Sequence, residues 1–243
     1  MRSARHAALW ASLGDRAFEG RRFEEALAAY ERSTKLNPYD ARPFRGKGHT
    51  LCALQRYAEA LLAYEQAIRL EPQQTFGHLG RGNALLALGR SEEALAAYDR
   101  ALQCGAHDAG AYAGRGRALG KLRRYEEALA VYERVIELSP YDEVYRCEGA
   151  DVLYELKRYE EVLATLAPLI EMDPYTADLY QRQGRALHML GRDEEALAAL
   201  EYALRQRPGW ALAYASKGDV LKALGRMEEA EAAYQQARDL GDG

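Results

Sequence analysis

Residues 109–142 read AGAYAGRGRALGKLRRYEEALAVYERVIELSPYD. Small and apolar residues recur at helical spacing on both sides of Leu122-Arg123-Arg124. The stretch therefore predicts two short amphipathic helices, a turn between them, and a stop at Ser139-Pro140, where proline cannot continue a helix. Shifted by its own length of 34 residues in either direction, it finds itself again. Pro140 falls on Pro38 and Pro72 upstream and on Pro174 and Pro208 downstream. Self-similarity at one fixed period decides the architecture before any other signal.

Working outward from this stretch gives seven repeats: 7–40, 41–74, 75–108, 109–142, 143–176, 177–210 and 211–243, with 1–6 as an N-terminal extension. Positions are numbered within each repeat from its first residue. Position 8 reads Gly14, Gly48, Gly82, Gly116, Ala150, Gly184 and Gly218, and position 20 is Ala except at Val162. Small residues there let the two helices of a repeat approach closely. Position 24 is large: Tyr30, Tyr64, Tyr98, Tyr132, Leu166, Leu200 and Tyr234. It fills the space between neighbouring helices. Leu at position 11, from Leu51 to Leu221, adds burial at helical spacing. Paired glutamates such as Glu92-Glu93 open the second helices, where negative charge suits the helix dipole. Arg56, Arg90, Arg124 and Arg226 are expected to suit the C-terminal ends of the first helices.

Period and columns together resemble the tetratricopeptide repeat, from Ala7 to the last residue. The resemblance implies an all-α fold, an α-solenoid of antiparallel helix pairs forming a right-handed superhelix. It implies a concave groove lined by the first helices. Each repeat in such a solenoid touches only its neighbours, so no single globular core is expected.

Two repeats depart from the pattern. In the seventh, Glu231 and Arg238 replace the apolar residues of positions 21 and 28 on one helical face. Terminal repeats need a polar outer face, so this repeat is expected to be an end cap. In the fifth, Val162 and Leu166 replace Ala and Tyr, and Pro168 falls inside the second helix. A proline there costs about 3 kcal/mol unless the helix adapts. A local change of curvature is the favoured reading, and a hinge between repeats 1–4 and 6–7 the sharper one. Repeat 3 lacks the terminal proline and ends in Cys104-Gly105-Ala106-His107-Asp108, where glycine can stop the helix instead.

The bulk numbers narrow function mainly by exclusion. A net charge of −4 without long single-sign blocks suits neither non-specific phosphate binding nor an interaction tail. Cys52, Cys104 and Cys147 are odd in number and widely spaced, which gives no disulfide framework and no zinc pattern. They read as apolar thiols in a reducing, cytoplasmic setting. The N-terminal MRSARHAALWASLGD fits the first repeat helix better than a targeting signal. No apolar run reaches the roughly 18 residues a membrane span needs.

Catalytic and cofactor motifs are missing too. Gly46-Lys47-Gly48, Gly80-Arg81-Gly82 and Gly114-Arg115-Gly116 look like pieces of phosphate loops. They recur mid-helix and follow no strand, so packing explains them better. His49 and Cys52 share a helix face, but two ligands make no metal site. No nucleophile, base and orienter fall together, so neither an enzyme nor a cofactor is expected.

Groove positions 2, 5, 6, 9, 12 and 13 are the ones the family uses for partners. They place Arg42, Arg45 and His49 early in the groove, together with Ala8, Ala11 and Asp15. Phe76, Leu79 and Asn83 follow, then Arg117 and Lys121 among glycines. Asp151 and Tyr154 form an acidic band with Glu148 and Glu155, and Arg182 and Arg185 a second basic patch. The expected partner is a protein or peptide with acidic and apolar residues, since arginine engages carboxylates in bidentate fashion. Ordinary solvated charges are the competing reading for these basic residues. The pattern by which one subclass clamps chaperone C-terminal carboxylates is absent. Asn83 has Leu79 at position 5, and the following repeats offer Gly114, Val144 and Glu148. Neither a nucleic acid nor a membrane is an expected partner. A monomeric interaction scaffold leads, with a self-assembling module, an RNA-binding helical repeat or a regulatory domain of a larger enzyme as alternatives.

Overall fold

The computed structural model describes residues 2–105, 109–140 and 142–241. Fourteen helices, and no strand, occur among the described residues. They are α1 (Arg2–Glu19), α2 (Phe23–Leu36), α3 (Ala41–Ala53), α4 (Tyr57–Leu70), α5 (Thr75–Ala87), α6 (Ser91–Gln103) and α7 (Ala109–Lys121). The series continues with α8 (Tyr125–Leu138), α9 (Glu143–Glu155), α10 (Tyr159–Met172), α11 (Ala177–Met189), α12 (Asp193–Gln206), α13 (Ala211–Ala223) and α14 (Met227–Gly241). Odd helices are the first and even helices the second of each repeat. Helix α1 runs back through the residues read as an extension. The chain divides into two compact units, Met1–Leu138 and Ser139–Gly243. Within each unit every helix packs on the next.

The turn between the two helices of a repeat has one backbone solution. Position 15 takes a left-handed φ whether it is glycine or not: Gly89 at 75°, Gly191 at 74°, Arg123 at 59° and Lys157 at 61°. This reversal corrects the expectation for the arginines. Position 16 is already the residue that opens the second helix, as Arg56 and Arg90 show. Its guanidinium reaches forward, not back. Arg90 Nε and its terminal nitrogen each donate to a Glu93 carboxylate oxygen at 2.7 Å. The same Arg–Glu pairing recurs in all seven repeats, from Arg22–Glu25 to Arg226–Glu229. These pairs are exposed, so each adds little stability. From Arg56 onward the arginine nevertheless forks onto both glutamate oxygens and so braces the start of its second helix.

The core is a chain of small clusters built on columns 11, 20 and 24. Leu51, Leu85 and Leu119 are buried, as are Ala60, Ala94 and Ala128. The glycines explain themselves against the tyrosines. A Cβ on Gly48 would lie 2.7 Å from the Tyr64 ring of the same repeat, and one on Gly80 only 2.3 Å from that ring across the repeat boundary. Gly46 and Gly114 stand likewise against Tyr30 and Tyr98. The paired glycines at positions 6 and 8 thus clasp a tyrosine from both sides, the packing role expected of them. Helix propensity alone says that a glycine-to-alanine change in a helix is favourable by about 0.5–1 kcal/mol. Gly80→Ala is expected to go the other way, costing about 1–3 kcal/mol by overpacking. Gly120→Ala meets no atom within 4 Å and is expected to keep the favourable sign. Urea midpoints of the two variants measure the contrast; equal shifts would sink it.

Neighbouring repeats are also joined by charge. A basic residue at position 7 meets an acid at position 25 of the preceding repeat. Lys47 Nζ lies 3.0 Å from Glu31, Arg115 Nε 2.7 Å from Asp99, and Lys217 Nζ 2.8 Å from Glu201. Helix α10 runs unbroken through Pro168, which is exposed. Helix α6 stops at Gln103, with Gly105 at φ 100° beyond it. Ala106–Asp108 of that expected stop lie outside the described residues. On α14, Glu231 and Arg238 face each other at 2.9 Å, so the seventh repeat carries an ion pair where repeats 2 to 6 carry apolar residues.

Candidate functional site

The first unit holds a cavity of about 480 Å³ between its first helices. Helix α1 supplies an acidic wall, Asp15 and Glu19, with Phe18 beside them. Helix α3 supplies a basic wall, Arg42 and Arg45, with His49, and α5 closes one end with Phe76. Gly46 and Tyr30 form part of the floor. The glycine at position 6 keeps that floor low, because any side chain there would strike the tyrosine.

The two arginines differ in what they leave free. Arg42 folds back on Asp40, whose carboxylate also accepts from the Arg42 backbone N–H at 3.0 Å and so caps α3. Hydrogen bonds from the Arg42 side chain hold the Asp40 pKa below the usual carboxylate range. Arg45 instead lies over the Phe76 ring, 5.6 Å from its centroid, and Phe76 is 53% exposed. A guanidinium on an aromatic face keeps its donors for a further acceptor. His49 leans one face on Tyr64, with centroids 5.6 Å apart. Burial, and then the Arg45 charge, lower its pKa, which favours the neutral imidazole. Asn83 receives the Tyr98 hydroxyl at 2.6 Å, which commits it to the fold. Leu79 is half-buried against the Ala101–Ala111 cluster, so Phe76 is the large apolar residue this end of the groove exposes. Arg117 and Lys121 are exposed on α7.

In the second unit the expected acidic band and basic patch meet one another. Arg182 bonds both oxygens of Asp151, at 2.9 and 3.0 Å. Arg185 lies 4.3 Å over the Tyr154 ring, which stands edge-on to Tyr159 at 5.2 Å. Arg182 and Arg185 are therefore half-buried structural partners of Asp151 and Tyr154, not a separate basic surface. The reason is spacing: position 6 of one first helix lies beside position 9 of the one before it. No cluster of three or more metal-ligating side chains occurs among the described residues. Among them, no helix is long and apolar enough to cross a membrane.

A family model of the tetratricopeptide repeat matches residues 11–75, 45–109, 79–143, 147–211 and 194–243. The chain belongs to the tetratricopeptide-repeat family. No curated protein matches it in sequence. Among solved structures, YrrB, described as a tetratricopeptide-repeat protein with an unusual peptide-binding site, is 26% identical. The match covers 76% of this chain and 95% of YrrB, with a TM-score of 0.65. A tetratricopeptide-repeat protein from Parabacteroides merdae ATCC 43184 is 19% identical over 98% of this chain and 94% of its own, with a TM-score of 0.79. MamA from Desulfovibrio magneticus RS-1 is 21% identical over 69% of this chain and 95% of its own, with a TM-score of 0.62. The last two show the fold.

Tetratricopeptide-repeat proteins serve generally as protein-interaction scaffolds. Phe18 and Glu19, at positions 12 and 13 of α1, are cavity residues that the sequence reading passed over. Their positions alone were the signal.

Proposed function

We propose that this tetratricopeptide-repeat protein is a non-enzymatic scaffold that binds a peptide or partner segment in the groove of its first unit. The segment carries an acidic side chain for Arg45 and an apolar one for Phe76. The stack of Arg45 on an exposed aromatic ring inside a 480 Å³ cavity is the observation that carries this reading. Grouped apolar and charged residues of this kind mark interaction surfaces. YrrB, a chain of similar architecture, is described with an unusual peptide-binding site, which supports peptide binding by such a chain. Arg117 and Lys121 extend the basic lining along α7, and the protein works as a cytoplasmic monomer without cofactor.

The partner is to be found by pull-down and mass spectrometry, and its binding segment measured by calorimetry. Arg45→Glu is expected to weaken binding by at least about tenfold, the scale of one charge-assisted hydrogen bond near 1.5–3 kcal/mol. Arg117→Glu is expected to weaken it less. Affinity unchanged by Arg45→Glu would place the site elsewhere.

A further inference from the structure

In the interior of each unit, the first helices turn the same three positions toward the preceding second helix. Position 3 is buried there: Pro43, Gly77, Ala111, Leu179 and Ala213. A Cβ on Gly77 would lie 3.0 Å from Ile68 of the preceding second helix. Position 6 meets the position 24 ring, as Gly80 meets Tyr64. Position 7 carries the cation of the inter-repeat ion pair at Lys47, Arg115 and Lys217. On α1 these three positions are Leu9, Ser12 and Leu13. All are exposed, Leu9 at 61% and Leu13 at 45%. Leucine also stands where the ion-paired cation would be. Arg5 and Arg16, both exposed, extend the same stripe at its two ends. At about 100° per residue, residues 5, 9, 12, 13 and 16 fall within roughly one quarter of the helix circumference.

We propose that this stripe of α1 docks an acidic amphipathic helix of a partner protein. The chemistry of the occupant follows from the stripe. Acidic residues at both ends of the partner helix complement Arg5 and Arg16. Apolar residues between them cover Leu9 and Leu13. The side chain facing Ser12 is leucine-sized: inside the chain a serine at this position, Ser216, follows a repeat with Leu200, whereas Tyr30, Tyr64 and Tyr98 are followed by Gly46, Gly80 and Gly114, and Tyr132 by Glu148. A second copy fits poorly. Head to head it sets Arg5 and Arg16 against like charges, and head to tail it sets two leucines on the Glu231–Arg238 pair.

The probe is a helix-constrained peptide of residues 193–206 carrying Glu201→Leu and Arg205→Glu, which puts leucine opposite Leu13 and acid at both ends. Trp10 is the reporter. It lies half-buried on α1 with Arg32 stacked 4.5 Å over its ring, and Trp210→Phe removes the other tryptophan. Saturable change in Trp10 emission is expected, weakening with salt. The double variant Leu9→Glu/Leu13→Glu is expected to bind at least tenfold more weakly while keeping its circular dichroism, since both side chains are exposed. The peptide that retains Glu201 is expected to bind more weakly than the probe. An absent signal, or one indifferent to the Leu9→Glu/Leu13→Glu change, would overturn the proposal. So would a concentration-dependent dimer, seen by sedimentation, that the double variant abolishes.

Discussion

Tyr64→Ala is expected to lower the stability of the first unit by about 3–5 kcal/mol, the range for removing a buried aromatic side chain. The Tyr64 ring is 1% exposed and lies between Gly48 of its own repeat and Gly80 of the next. Neither glycine has a side chain that could move into the space, so the void persists at two helix interfaces at once. That places the effect near the top of the range rather than the bottom. In a solenoid each repeat supports only its neighbours. The loss is therefore expected first in α3, α4 and α5, read as faster amide exchange there, with α11–α14 unaffected. The check is urea unfolding combined with hydrogen exchange. A loss under about 1 kcal/mol would mean that the helices close over the gap, against the packing logic of core truncations.

Pro168→Ala is expected to work in the opposite direction, in the second unit. Proline inside a helix is about 3 kcal/mol less favourable than alanine, through the missing N–H and the clash with the preceding turn. Pro168 sits ten residues into α10, on its exposed side, with Leu166 and Leu169 buried beside it. An alanine there restores the bond to the Ala164 carbonyl without disturbing those leucines. The gain is expected to reach toward 3 kcal/mol, less the small entropic advantage proline gives by stiffening the unfolded chain. A rise in the urea midpoint, with slower amide exchange in α9 and α10, is the expected result. An unchanged midpoint would mean that α10 has already adapted around the proline. Small-angle scattering of the same variant tests the hinge reading separately: an unchanged profile removes its support.

The fold was legible because repetition lets one stretch be read seven times. A single Gly14 or Tyr30 says little, but columns 8, 20 and 24 agree across repeats and so report packing. The site was less legible, because groove positions are those where the repeats differ and no column averages them. Sequence places Arg42, Arg45, Arg182 and Arg185 on one face but not their partners. Arg42 goes to Asp40 because that aspartate caps α3, and Arg182 to Asp151 because adjacent first helices bring positions 6 and 9 together. Asn83 is claimed by the Tyr98 hydroxyl across the repeat. One signal was present and misread. Arginine at position 16 and glutamate at position 19 recur in all seven repeats, and three-residue spacing on one helix is itself evidence of a pair.

The tyrosine held between glycines also acts as a joining rule with a direction. At three joints, Tyr30–Gly46, Tyr64–Gly80 and Tyr98–Gly114, the successor brings glycine at position 6, where a Cβ at Gly80 would stand 2.3 Å from the ring; Tyr132 is followed instead by Glu148. Repeats 2, 3 and 4 carry both halves of the joint: Gly46 with Tyr64, Gly80 with Tyr98, Gly114 with Tyr132. Each can be copied in tandem and still fit its own duplicate. Repeats 1 and 7 lack that glycine and would bring Ser12 and Ser216 to the rings of Tyr30 and Tyr234. Duplication that preserves the glycine joint is therefore open to repeats 2 to 4.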